Sequence, residues 1–277
     1  MTKISIRPFI KIPGAGAASG LHFKNGSLFV ISDNRNVLLE YNLTSGIAKN
    51  WPLFADSAPE NLPKSRKPDF EAIAADGNLL YIFGSGSAET RNKLIIFNTD
   101  TKAAEERDLS LIYQNLRNIA SIAESDFNIE GAAVSANQWI LLQRGNGPEN
   151  RNGLFVFSAN PFKEACEVDF YNISLPEIGG YRASFTDATV VGNRLFFIAA
   201  AEAGNSTYED GAVAGSLIGA IDLESLRLQF TESLSNSHKF EGISLFEENE
   251  NTLSFLVCED NDSDDSESTV QLLTLRL

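Results

Sequence analysis

A short pattern pairing an oxygen-bearing residue with Gly or Ala recurs five times along the chain. It appears as Ala18-Ser19-Gly20-Leu21, Phe70-Glu71-Ala72-Ile73, Ile129-Glu130-Gly131-Ala132, Thr186-Asp187-Ala188-Thr189 and Phe240-Glu241-Gly242-Ile243. The oxygen-bearing residues at 19, 71, 130, 187 and 241 are 52, 59, 57 and 54 positions apart. A period of this length restricts the chain to a repeat architecture, in which each unit buries its apolar faces against its neighbours.

Each pattern is followed by further apolar runs rich in aromatic and branched residues, separated by polar turns. The second runs are Leu28 to Ile31, Leu79 to Phe83, Trp139 to Leu142, Leu195 to Ile198 and Leu253 to Val257. The third are Val37 to Leu43, Leu94 to Asn98, Leu154 to Phe157, Leu217 to Ile221 and Val270 to Leu275. Both sets read as strands. Fourth strands are expected at Ile47 to Phe54, Glu106 to Ile112, Glu167 to Leu175 and Leu228 to Leu234, with a helix over Leu109 to Ala123 as a local alternative.

The fifth unit lacks a fourth strand, and the alternating segment Lys3 to Ile12 can supply it. The 36 positions from Glu241 to Leu277 and the 18 from Met1 to Ser19 together make 54, which matches the other steps, so the ring closes in register. The expectation is one all-β domain over residues 1–277: a five-bladed β-propeller of four-stranded blades, with the N-terminal strand completing the last blade.

A hydrophobic fraction of 43% suffices for the interfaces between blades. Two cysteines, Cys166 and Cys258, fall in different units and make neither a disulfide framework nor a zinc site. No signal-peptide core and no ~20-residue apolar span is present, so a cytoplasmic monomer with no membrane partner is expected. A net charge of −15 argues against nucleic acid as a partner, because phosphate backbones are bound by clustered Lys and Arg.

First strands line the channel of a propeller, and alternate side chains of a strand share a face. This predicts three layers. Ala17, Asp69, Asn128, Phe185 and Lys239 stand at the mouth; Ser19, Glu71, Glu130, Asp187 and Glu241 form a ring beneath; Leu21, Ile73, Ala132, Thr189 and Ile243 close the floor. Two like charges ~4 Å apart repel by about 4 kcal/mol at an effective dielectric of 20, so four carboxylates in one ring need compensation. A bound cation provides it, and all-oxygen ligands with loose geometry favour calcium. Protonated carboxyls in a metal-free hydrogen-bonded network are the alternative.

Ser, Glu, Glu, Asp, Glu at equal depth in five blades resembles the calcium-activated nucleotidase (apyrase) propellers, and bacterial five-bladed propellers of unassigned activity with the same ring. It is more loosely similar to esterase-like phytase domains. The resemblance implies a central calcium held by Ser19, Glu71, Glu130 and Glu241, with Asp187 where a Ser is more usual. Outside the inner strands no nucleotidase motif is present.

Rim loops add Arg66 and Lys67, Tyr181 and Arg182, and His238 and Lys239 before first strands. Asp33, Arg35, Ser85, Arg91, Arg144, Arg151, Glu202, Tyr208, Asp260 and Asp262 stand between second and third strands. Arg35-Asn36, Arg91-Asn92 and Arg151-Asn152 form a sub-repeat. Arg35, Arg91, Arg144, Arg151, Arg182, His238 and Lys239 together suit an anionic small molecule, although Arg-Asn also suits a plain hairpin end. The acidic run Glu259 to Asp265 departs from an EF-hand at Asp265 and Gln271 and reads as a solvated loop, with a weak second cation site as the other reading. Gly84-Ser85-Gly86 lacks a nucleophile elbow's setting, and His22 reads as structural.

Three functions remain open at this level. One is a calcium-dependent hydrolase of phosphoesters, phosphoanhydrides or esters; another is a binding or scaffold propeller with a structural ion. A five-bladed glycosidase fits least, since its two carboxyls need unequal environments at a defined separation.

Overall fold

The computed structural model describes residues 3–54, 67–203, 211–259 and 267–276. Strand β1 (Lys3–Pro13) comes first. Blade I follows as β2 (Ala18–Lys24), β3 (Ser27–Ser32), β4 (Val37–Asn42) and β5 (Ala48–Pro52). Blade II is β6 (Phe70–Asp76), β7 (Leu79–Gly84), β8 (Lys93–Asn98) and β9 (Ala104–Asp108), and helix α1 (Ser110–Ala120) leads out of it. Blade III is β10 (Ile129–Val134), β11 (Trp139–Gln143), β12 (Gly153–Phe157) and β13 (Val168–Asn172). After the hairpin β14 (Glu177–Ile178) and β15 (Tyr181–Arg182), blade IV is β16 (Ser184–Val191), β17 (Arg194–Glu202), β18 (Val213–Asp222) and β19 (Leu228–Ser235). Blade V is β20 (Phe240–Asn249), β21 (Thr252–Glu259) and β22 (Glu267–Arg276), completed by β1 in the order β1-β22-β21-β20.

Every blade is an antiparallel meander, and the inner strands β2, β6, β10, β16 and β20 touch in cyclic order around the axis. Five apolar cores separate the five blades. In β3, Leu28 and Val30 enter the core shared with blade V, whereas Phe29 and Ile31 enter the core shared with blade II. A strand buried on both faces must be almost wholly apolar, which is why the second runs are continuous rather than alternating, with Ser254 in blade V the one polar interruption. Each such side chain contributes about 1.5–3 kcal/mol of burial.

Blade II departs from expectation after Asp108. The Asp108 Oδ1 accepts from the Ser110 backbone N–H at 2.8 Å and its hydroxyl at 2.6 Å, turning the chain from β9 into α1. Tyr113, Leu116 and Ala120 form the helix's buried face against the core between blades II and III. The Tyr113 hydroxyl donates to the Gly84 carbonyl at 2.7 Å. Among the described residues no helix is long and apolar enough to cross a membrane, and Cys166 and Cys258 are free thiols.

One irregularity repeats in all five blades. Pairing of the first strand to the second slips by one residue between Ala18 and Gly20, Phe70 and Ala72, Ile129 and Gly131, Phe185 and Asp187, and Phe240 and Gly242. The residues left over are Ser19, Glu71, Glu130, Thr186 and Glu241. A β-bulge takes one residue out of the alternation and re-aims its side chain, so here it delivers one polar side chain per blade to the channel. Beyond it the strand resumes its two-sided packing. Leu21, Ile73, Ala132 and Ile243 then join the cores between blades, and Ala188, rather than Thr189, occupies that place in blade IV.

Candidate cation centre at the channel mouth

The ring defined by the bulges is Ser19, Glu71, Glu130, Thr186 and Glu241. Its two hydroxyls play the same part: Ser19 Oγ donates to the Phe70 carbonyl at 2.5 Å and Thr186 Oγ1 to the Phe240 carbonyl at 2.7 Å, each tying its blade to the next. Asp187 is thereby corrected out of the ring. Because the bulge falls at Thr186, the Asp187 side chain turns between blades, where its Oδ2 accepts from the Ile243 N–H at 2.8 Å.

Blades III, IV and V neutralise their carboxylates in an alternating chain. Glu130 Oε1 accepts from Asn128 Nδ2 and Arg144 Nη1, each at 2.7 Å. Arg144 Nη2 reaches Glu202, Glu202 Oε1 lies 3.1 Å from Lys239 Nζ, and Lys239 lies 2.7 Å from Glu241 Oε1. Burial disfavours the Lys239 ammonium, but Glu241 and Glu202 outweigh it and hold its pKa well above the ordinary lysine value. Burial likewise acts to raise Glu202, yet Arg144 and Lys239 bring it below the usual carboxylate range. On this side of the mouth each carboxylate is paired with a cation.

The opposite side is different. Asp33 from the loop after β3 meets Asp69 and Glu71 of blade II, and one carboxylate oxygen from each lies within 4.8 Å of the others. Lys67 Nζ is 2.7 Å from Asp33 Oδ2, and Asp69 Oδ2 receives Arg91 Nη1 and Ser85 Oγ, each at 2.6 Å. Asp69 adopts a left-handed backbone, φ 54, tolerated by short polar residues, and the Ser85 N–H on its carbonyl at 2.9 Å holds it there. Glu71 has no cationic partner within ion-pair distance among the described residues. Partly accessible from the channel yet enclosed by the fold, its carboxyl is pushed well above the ordinary range by burial, then by Asp69, Glu130, Glu241 and Asp33. Asp69 is pushed up to about 6 by burial against the opposing pull of Arg91 and Ser85.

The rim residues expected to bind an anion scatter. Arg91, Arg144 and Lys239 are buried in the pairs just described. Arg35 Nη1 donates to the Gly14 carbonyl, and His238 Nδ1 lies 2.7 Å from Glu259 Oε1 at the surface. Arg151 and Arg182 line a separate cavity between blades III and IV. In the Arg-Asn sub-repeat, the Asn36, Asn92 and Asn152 carbonyls accept from the N–H groups of Leu53, Leu109 and Ile173 at 2.9, 2.9 and 2.8 Å, so the asparagine closes the outer hairpin. His22 is enclosed, and burial and then Lys24 bring its pKa down to about 4. Arg66, Tyr208 and the acidic run from Asp260 to Asp265 lie outside the described residues.

Five four-stranded blades around an axis lined by bulge-borne Ser, Thr and Glu side chains define a five-bladed β-propeller with a charged axial mouth. The chain belongs to a family of unknown function, DUF6929, whose model matches residues 14–277. No curated protein matches the sequence. Among solved structures its fold is similar to that of glutaminyl cyclase from Myxococcus xanthus, with a TM-score of 0.58 at 11% identity over 98% of this chain and 96% of that one. It is also similar to the PQQ-bound form of aldose sugar dehydrogenase from Streptomyces coelicolor, with a TM-score of 0.53 at 11% identity over 98% of both chains. At such identities the likeness is one of fold.

Proposed function

We propose that the channel mouth binds a divalent cation, calcium by ligand chemistry, and through it receives an anionic small molecule. Hydrolysis of a phosphoester, phosphoanhydride or ester is the candidate reaction. One observation carries this reading: the described mouth gathers Asp33, Asp69, Glu71, Glu130, Glu202 and Glu241 against Lys67, Arg91, Arg144 and Lys239, and the surplus centres on Glu71. Two more carboxylates than cations is the complement of one divalent ion. The donor set fits, being all oxygen, and Asp33 Oδ1 is a buried carboxylate oxygen without a hydrogen-bond partner among the described residues.

The ring read as Ser, Glu, Glu, Thr, Glu also comes nearer the pattern of calcium-activated nucleotidases than one with aspartate in the fourth blade, since Thr offers the hydroxyl of the more usual Ser. When bound, the cation would supply the positive charge that polarises a phosphoryl or ester oxygen. Lys67, Arg91 and Ser85 fix Asp33 and Asp69 through one oxygen each. Arg144 and Lys239, each committed to two carboxylates, keep the far wall rigid. A structural ion without turnover is the second reading, favoured by the pairing of Arg91, Arg144 and Lys239, which removes the arginine clamp that the sequence alone suggests.

Calorimetry of the chelator-treated protein with Ca²⁺ is the test. Saturable binding is expected for wild type, with a loss of at least about tenfold, or 1.4 kcal/mol, in Glu71→Gln. Equal affinity in both proteins would remove the site. A screen of nucleoside di- and triphosphates, sugar phosphates and phosphoesters then divides the readings. Chelator-sensitive turnover supports the hydrolase; no turnover together with a calcium-dependent melting shift supports the structural ion. Calcium at 100 times its Kd would stabilise the fold by about 2.7 kcal/mol.

A further inference from the structure

Away from the axis, at the rim between blades III and IV, lies a cavity of about 500 Å³, within the size range of small-molecule sites. Its polar wall is Asn150, Asn172 and Ser174, and two arginines, Arg151 and Arg182, face it from different elements. Arg151 leads into β12, next to an anchored residue. The Asn152 side chain donates to the Ile173 carbonyl at 3.0 Å and accepts from the Phe185 N–H at 2.9 Å, pinning the loop to blade IV.

Arg182 arrives on the hairpin β14–β15, an addition to the four-stranded pattern of the blades. Gly179 and Gly180 form its two-residue turn with φ 61 and 87, the pair of positive values that a tight hairpin of this kind requires. Ile178 and Ala214 seat the hairpin against the core of blades III and IV. Neither guanidinium has an ion-pair or hydrogen-bond partner among the described side chains, although Glu149 also borders the cavity. On a chain of net charge −15, two arginines from different elements border one cavity with neither in a described ion pair. The planar guanidinium fork matches carboxylate and phosphate oxygens, and asparagine amides and a serine hydroxyl add neutral donors.

We infer that this cavity is a second ligand site, taking a small molecule through a doubly charged oxyanion, a phosphate monoester or a dicarboxylate, held between Arg151 and Arg182. It shares no residue with the axial mouth and needs no cation. Calorimetry on the full chain in chelator, at constant ionic strength, with inorganic phosphate and with succinate as probes, tests it. At least one probe is expected to bind saturably, with affinity unchanged in Glu71→Gln and reduced at least tenfold in Arg151→Ala/Arg182→Ala. Arg182→Lys, which keeps the charge and loses the fork, should fall between. The inference is overturned if neither probe binds wild type, if the double variant binds as wild type while melting like it, or if Glu71→Gln abolishes binding, which would put the anion at the mouth.

Discussion

Asp187 carries a buried carboxyl with one oxygen engaged and the other, Oδ1, unpartnered. Burial pushes its pKa well above the aspartate value, and the Ile243 and Ala188 N–H groups offset this only in part. A carboxyl raised on folding binds its proton more tightly in the native state. Well below the unfolded aspartate pKa of about 3.9 both states are protonated and the residue is neutral to stability; as pH rises through that value, the unfolded chain ionises first and the fold loses ground. Asp187→Asn keeps an acceptor for Ile243 and cannot ionise. Urea denaturation should therefore show little change near pH 3 and a clear gain near pH 8. Equal shifts at both pH values would exclude ionisation as the source. Calcium affinity should stay at the wild-type level, because the residue lies outside the ring. The repeat could have yielded Thr186. Phe70, Ile129 and Phe240 each precede a ring glutamate, and Phe185 precedes Thr186 in the same way. Aligning on the carboxylate instead of on the apolar neighbour moved the register by one residue.

The bulge is the element-scale reason for that slip. A strand's alternation is written in its own sequence, but a skipped pairing depends on the partner strand, and no residue type marks it across Ser19, Glu71, Glu130, Thr186 and Glu241. Second strands were legible because both faces are buried and their runs are almost wholly apolar, and third strands because aromatic and branched residues dominate them despite polar interruptions such as Glu40 and Gln271. Helix α1 competed with a fourth strand because Leu109 to Ile112 suits either, and the Asp108 side chain decides for the helix. Hairpin β14–β15 is only two residues on each side, too short for a periodicity, yet Gly179-Gly180 was a visible turn signal. Nothing lies within 4 Å of a Cβ added at Gly180, so Gly180→Ala meets no steric obstacle and its cost is conformational, about 1–2 kcal/mol at φ 87. Amide exchange over residues 177–182 should quicken about tenfold in that variant, with exchange in blade interiors unchanged. Unaltered exchange would assign the hairpin's order to the packing of Ile178 instead of to the turn.

At the scale of the whole molecule, the ring is closed by β1, which pairs with β22 in blade V and runs on into β2 of blade I. The count of blades and the joining of both termini in blade V were legible, since each follows from spacing alone. The mouth's pairing was not: Asp33, Glu202 and Lys67 come from loops whose meeting with Asp69, Arg144 and Lys239 depends on how neighbouring blades are set against one another. The closing strand β1 pairs with β22 from Lys3 against Arg276 to Pro13 against Glu267, and it places fully buried Ile12, with Phe9 and Ile10, in the core between blades V and I. Removing residues 1–12 would withdraw those side chains, at up to about 1.5–3 kcal/mol for the fully buried Ile12 and less for the half-buried Phe9 and Ile10, and leave β22 as an open edge. The sum is a large part of a typical total stability of about 5–15 kcal/mol. The truncated chain should therefore lose its sharp near-ultraviolet dichroism and self-associate on size exclusion. A synthetic peptide of residues 3–13, added in trans, should restore the elution position of the full chain by strand addition to β22. A truncated protein that melts like the full chain would mean that the four complete blades and their cores hold the ring without the closing strand.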